Sequence, residues 1–368
     1  MHTYHLLITF TSLVTAYTMT MENCQRDLAA IKTLQRQYVG TYGWGADTGD
    51  QKTEKIKIAR ECADYKNTQF LVQQKYSQNK YIISDGNDVH IMDMQTGTKE
   101  ATLTGHTNLI QCCTNTDHRH IIATGSDDTT IKLWNTKNNA CLQTLHEHEK
   151  SVTNIASEKN TLASIDCNGC FNLWNISSEK PFITRSLIND DNEPRKPLSL
   201  MMENNLIYVG FATGHIMIID PRTTMTICAG TIHENAVVCL TPCQYNGHLF
   251  YSGSHDQTIK QWDLRNAGDP TKIIHHDNDQ TIANYNIRNV YEDRKGKKIF
   301  SSDMDTVYVW DISGDEPTLM TTKNFDYYII PNCIHMNDDE TELYIGTAEG
   351  IKTLTPALDF DQLAALVG

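Results

Sequence analysis

Short runs of β-branched and aliphatic residues alternate with turn-forming Gly, Asp and Asn along most of this 368-residue chain. One unit shows the pattern clearly, with runs at Leu109–Cys113, His120–Gly125, Thr130–Trp134 and Ala140–Leu145. Runs of this length, rich in Ile, Leu and Thr and bounded by turn residues, predict four short β-strands. The unit recurs. The stretch from Thr124 to Asn135 (TGSDDTTIKLWN) reappears almost letter for letter from Ser252 to Asp263 (SGSHDQTIKQWD). Looser copies end at Met92-Asp93, Trp174-Asn175, Ile219-Asp220 and Trp310-Asp311, and a degenerate copy ends near Leu354. The anchors are spaced by roughly 40–48 residues, a period that marks an array of supersecondary units.

A single four-stranded sheet cannot bury both of its faces. Stacking such sheets in a ring buries both and leaves only short edges. Seven copies therefore predict an all-β, seven-bladed β-propeller, preceded by a short helical extension. The seventh unit has three inner strands, near Asn332–Met336, Glu342–Gly346 and Ile351–Leu354, and needs an outer one. The run Glu54–Ala59 is favoured over Ala357–Phe360 for that place, because a strand from the far end of the chain closes the ring and removes an open edge. The expected organisation is a helical segment over residues 1–50 and the propeller over residues 51–368. Within the first, Leu28, Ile31, Leu34 and Val39 recur at helical spacing before Gly40, Gly43 and Gly45 break the pattern.

From residue 69 to about residue 356 the chain resembles WD40-repeat proteins. The resemblance rests on His106 (after Gly105), Ser126, Asp128 and Trp134 in the second blade, and on His233, Ser254, Asp256 and Trp262 in the fifth. It implies a buried structural tetrad in which the carboxylate fixes the histidine tautomer, the histidine meets the serine, and the serine meets the indole N–H. Complete buried networks of this kind are rigid. Blade three has His148 and Trp174 but Asn168 at the carboxylate position, and blades one and four lack the Trp. The resemblance further implies that the residue between the tetrad Ser and Asp faces partners. Asp127, Cys167 and His255 take that place, with Asp85 and Asp303 assigned to it in blades one and six. No arginine is among them, so the expected partners are proteins or peptides that are basic or neutral rather than phosphorylated.

Composition narrows the functional classes. The formal charge of -14 argues against nucleic acid as the main partner. Ser–His–Asp sets that repeat with the blade period point to structure rather than a catalytic triad. No Gly-rich phosphate loop, His-Glu-x-x-His motif or nucleophile elbow is present, so no enzyme activity and no cofactor are expected. Cys167 and Cys170 form a lone Cys-x-x-Cys without two further ligands at matching spacing, and no metal is expected. His146, His275 and His276 are expected to be solvated. The eleven scattered cysteines suit a reducing compartment, and the expected location is the cytoplasm, with the nucleus as an alternative and secretion disfavoured.

The amino-terminal segment carries a second resemblance. Leu6, Leu7, Phe10 and Leu13 are similar to the first helix of an F-box, and Cys24-Gln-Arg26 is similar to the stretch that follows it; the usual leading Leu-Pro is missing. As a truncated F-box, these residues would contact a Skp1-like adaptor. A propeller-capping extension and a signal peptide are the other readings of the same residues. Two functions follow: the substrate-recognition subunit of a cullin ubiquitin ligase, or a scaffold subunit of another complex in signalling, trafficking or RNA processing. No membrane partner is expected.

Overall fold

The computed structural model describes residues 57–62 and 68–355, apart from 78, 188–195, 224, 266–268, 277–285, 305, 326–330, 338–339 and 348–349. The chain divides after Lys52, and every described residue lies in the unit Thr53–Gly368. The predicted helical segment, with Leu6, Leu7, Phe10 and Leu13, lies outside the described residues.

The described strands form seven antiparallel four-stranded sheets. In blade two the strands, called a to d from the centre outwards, are Ile110–Asn115, Ile121–Ser126, Ile131–Asn135 and Ala140–Leu145. The a strands of successive blades touch one another in a closed circle, blade seven meeting blade one. Closure is made by the amino-terminal strand. Lys57–Cys62 pairs with Gly350–Thr355 as strand d of blade seven, three residues further along than the run picked out in the sequence.

The core is a set of seven slabs, one between each pair of neighbouring sheets, because both faces of every sheet are apolar. Blades one and two share Ile82, Ile91, Ile122 and Trp134. Blades three and four share Phe171, Leu173, Val209 and Phe211. Blades seven and one close the circle over Tyr344, Ile351, Tyr81 and Met92.

Register shows which residues are equivalent. Strands c and d slip by one residue at Trp134, Trp174 and Trp310, and they slip at the same place at Met92, Ile219 and Leu354. Blades one, four and seven therefore keep the bulge and its added twist while placing an aliphatic side chain where the indole would stand.

Two further devices tie blades together. Near the centre, a small polar side chain on strand a nests against a glycine on strand b. Cys112 lies on Gly125, Cys239 on Gly253 and Cys333 on Gly346, with Ser199 on Gly210. Cys112 Sγ sits 3.8 Å from the carbonyl of Val152 in the next blade, and Ser199 Oγ donates to Val237 O at 3.0 Å. Burial pushes the Cys239 and Cys333 thiols up to about 12, which leaves them unreactive. On the face carrying the a–b turns, side chains bridge from blade to blade. His118 bonds Asn160 at 2.8 Å, Glu292 accepts from Gln244 N at 2.6 Å, and Glu340 accepts from Arg294 N at 2.8 Å.

A Cβ added at Gly125 would meet Cys112 Sγ and Val152 Cγ1, both at 2.7 Å. Gly125→Ala should lower stability by about 1–3 kcal/mol, the usual cost of overpacking. Adding Cys112→Ala should restore part of the loss, and thermal unfolding of the single and double variants measures both.

Candidate functional site

Thr124 lies opposite Lys132 and Ile122 opposite Trp134 across strands b and c. This pairing sets the indole N–H against the Thr124 hydroxyl. Trp134 Nε1 donates to Thr124 Oγ1 at 2.8 Å, Thr124 Oγ1 lies 2.8 Å from His106 Nε2, and His106 Nδ1 lies 2.7 Å from Asp128 Oδ2. Blade five repeats the chain through Trp262, Ser252, His233 and Asp256 at 2.8, 2.7 and 2.7 Å. The hydroxyl of the tetrad is thus Thr124 or Ser252, not Ser126 or Ser254. The two expected serines lie two residues later on the same strand and cap the b–c turn instead. Ser126 Oγ donates to Leu109 O at 2.9 Å and accepts from Asp128 N at 3.1 Å, and Ser254 makes the corresponding bonds.

The tautomer follows. Burial lowers the basicity of His106, against the pull of Asp128, so the ring is neutral. Its Nδ1–H donates to Asp128 and its Nε2 accepts from Thr124. Burial alone would push the Asp128 carboxyl up, but bonds from Thr130, Thr107 and His106 outweigh it and bring the carboxyl down to about 2.

Blade three holds a complete chain, contrary to the expectation that Asn168 breaks it. Asp166, two residues earlier, takes His148 Nδ1 at 3.1 Å, and Ser164 joins His148 Nε2 at 2.7 Å to Trp174 Nε1 at 2.9 Å. The other oxygen of Asp166 caps the turn, accepting from Asn168 N and Cys170 N. One carboxylate covers the roles of Ser126 and Asp128 together. Blade six is half built. Its histidine is His276, which is buried rather than solvated; it bonds Ser301 at 2.7 Å, and Ser301 accepts from Trp310 at 2.9 Å. His276 Nδ1 has no hydrogen-bond partner among the described residues, and burial pushes the ring down to about 3. His146 and His275 are exposed.

The expected partner face changes in two places. Asp127, Cys167 and His255 share one position, each with its backbone N–H bonded to a carbonyl beside strand a of its own blade. Register puts Gly86 and Met304 at that position in blades one and six, so Asp85 and Asp303 belong one residue earlier, with Ser126 and Asp166. Asp303 is buried. It accepts from Thr306 N and from the Tyr308 hydroxyl, both at 2.8 Å. Asp85 lies 3.4 Å from His90 Nε2. Asp127 is half-buried, holding Gln111 at 2.9 Å and the Ser151 hydroxyl. Of the acids assigned to the face, only Asp127 occupies that position. A cation also stands nearby: Arg288, with burial, lowers the basicity of His255. Arg288 immediately precedes strand a of blade six, Asn289–Glu292.

His148, Asp166 and Cys170 place ligand atoms within 4.8 Å of one another. Thr130 and Thr258 occupy the Cys170 position in blades two and five, bonding the same carboxylate and histidine. The cluster is therefore the local form of a network seen in blades without a thiol.

Seven four-stranded blades closed into a ring make this a seven-bladed β-propeller, and the histidine–hydroxyl–indole chains of blades two, three, five and six go with its WD40 repeats. The family model for the WD domain, G-beta repeat, matches residues 97–135 and 226–263, the repeats of blades two and five. Among curated proteins, the chain is similar to periodic tryptophan protein 2 of Arabidopsis thaliana, 24% identical over 231 residues covering 60% of this chain and 24% of that protein. It is similar to ribosome biogenesis protein ytm1 of Aspergillus niger, 39% identical over 88 residues covering 23% of this chain and 18% of that one. It is also similar to the THO complex subunit 6 homolog of Danio rerio, 28% identical over 116 residues covering 28% and 35%. The matches thus span about a third or less of these relatives' own length. The β-propeller domain of Cps50 (Swd1) superposes with a TM-score of 0.71 at 12% identity, covering 82% of this chain and all of that domain.

Two outcomes follow from the networks. Ser252→Ala should cost about 1–3 kcal/mol by removing the partner of the buried His233 Nε2 and of the half-buried Trp262 indole. Adding Trp262→Phe should cost less than the sum of the single changes, which a double-mutant cycle in urea measures. The depressed His276 gives stability that is full above the unfolded histidine range and falls as pH drops from about 6.5 toward 3. His276→Phe should shrink that fall, seen in urea midpoints at neutral and acid pH.

Proposed function

We propose that this chain is a non-catalytic scaffold subunit of a ribonucleoprotein-processing assembly, with ribosome biogenesis as the favoured setting. The observation that carries this is the similarity of a propeller segment to ribosome biogenesis protein ytm1 at 39% identity. The likeness to a subunit of the THO complex supports a place inside a larger assembly. The site chemistry agrees with a scaffold. Each tetrad hydroxyl is buried and committed to a histidine and an indole, so the Ser–His–Asp sets have no nucleophile to offer. Eight of the cysteines, Cys112 and Cys239 among them, are free thiols, which suits a reducing compartment.

The ubiquitin-ligase alternative rests on residues 1–40, outside the described residues, and the relatives favour the RNA-processing setting over it. Affinity purification of the tagged full chain decides between them. The expected result is co-purification of assembly factors and precursor ribosomal RNA. Recovery of a Skp1-like subunit, lost on deleting residues 1–40, would overturn the proposal.

A further inference from the structure

The face carrying the a–b turns has a cavity of about 920 Å³ lined by residues of blades one, two, five, six and seven. Among the described residues its lining includes Lys75, Arg294 and His335 and no Asp or Glu, in a chain whose formal charge is -14. Gln74, Tyr76 and Ser77 also line a second cavity, of about 320 Å³, at the seam of blades one and two. That one holds Lys80, Lys137 and His120, and its single acid, Glu100, is paired with Lys80. The two cavities adjoin at these shared residues and are together called the groove.

Tyr76 is unusual. The residue is 57% exposed, and its backbone sits at φ 73, in the left-handed region that bulky residues avoid. The remaining positive-φ positions outside glycine are occupied by Asn, Gln, Thr, His, Lys and Glu. The fold thus holds an aromatic ring out over the groove at a backbone cost, with Lys75 Nζ 5.8 Å from its centroid. Tyr291 and His335 also line the larger cavity; both are half-buried, with ring centroids 5.3 Å apart and planes tilted by 47°.

An exposed ring flanked by cations is what a single strand needs, with a base stacked on the ring and phosphates beside the ammonium and guanidinium groups. The ion pairs Lys75–Asp117 and Lys80–Glu100 are both partly solvent-exposed, and pairs of that kind give way at little cost. Carboxylates do flank the site. Asp117 hydrogen-bonds Lys75, and Glu203 adds a weaker pull on the same ammonium group.

We propose that this groove binds a short stretch of single-stranded RNA, with Tyr76 as its stacking platform. The choice of RNA over DNA rests on the function proposed above; the groove itself does not. Local charge thus revises the expectation, drawn from net charge, that nucleic acid is no partner.

The test is fluorescence anisotropy of the full chain with labelled RNA of about ten nucleotides, alongside single-stranded DNA, double-stranded RNA and a phosphorylated acidic peptide. Single-stranded RNA should bind in the range of about 1–100 µM and weaken with salt. Tyr76→Gly suits the positive φ and so should keep the fold, and it should weaken binding about 5- to 150-fold. Arg294→Ala should lower the slope of binding against salt by about one. Crosslinking of 4-thiouridine RNA should map to the peptide containing Tyr76. No RNA binding by about 100 µM, binding unmoved by both variants, or equal binding of double-stranded RNA would overturn the proposal. Preferential binding of the phosphopeptide would overturn it too, and equal binding of single-stranded DNA would overturn RNA as the ligand. None of these failures touches the scaffold role, which the purification tests by itself.

Discussion

Every sheet in this molecule has two apolar faces, and only another sheet covers them. That one constraint sets the ring, the closing strand and the places where polar groups are allowed inside. A polar atom in a slab between blades must be paired there, because water does not reach it. Thr124 and Trp134, or Ser199 and the carbonyl of Val237, are solutions to that demand. The glycines beneath Cys112, Cys239 and Cys333 answer the companion demand for close approach at the crowded centre.

The seams meet the demand in different ways. Blades two, three and five run a full hydrogen-bonded chain from carboxylate to indole. Blades one, four and seven dispense with it: Ile83 and Met92, Val209 and Ile219, and Ile345 and Leu354 replace the hydroxyl and indole positions with aliphatic groups. Replacing both partners by apolar groups costs little, whereas removing one leaves a stranded atom. Blade six sits between these solutions, with Ser301 and Trp310 joined and one histidine nitrogen unmatched among the described residues.

The repeat made the architecture legible. A Trp-Asp ending and a steady period were enough to count blades and to choose the amino-terminal strand for closure. The tetrad hydroxyl was harder to read. Thr124 and Ser126 are two apart on one strand and face the same way, so composition cannot say which of them meets the indole. Only the pairing of Ile122 with Trp134 decides it. The partner face slipped for a related reason. In blade one, Asp85 pairs directly with Asp88 across a tight turn, while blade two spends more residues between its strands, so counting along the sequence lost a position. Asp166 was missed because one carboxylate does two jobs there. The groove around Tyr76 had no signal at all, since its residues come from five blades and share no motif.

The closing strand has a bearing on how the molecule comes to be made. Lys57–Cys62 leaves the ribosome before every other described strand of the ring, yet its partner, Gly350–Thr355, leaves after all of them. During synthesis the early strand has no native neighbour, and the growing stack of blades carries an open edge at each end. Such long-range pairing is slow, and open edges invite contact with other chains. The final blade is therefore the step that commits the whole ring, and a chain stopped short of Gly350 retains six blades with nothing to fasten them.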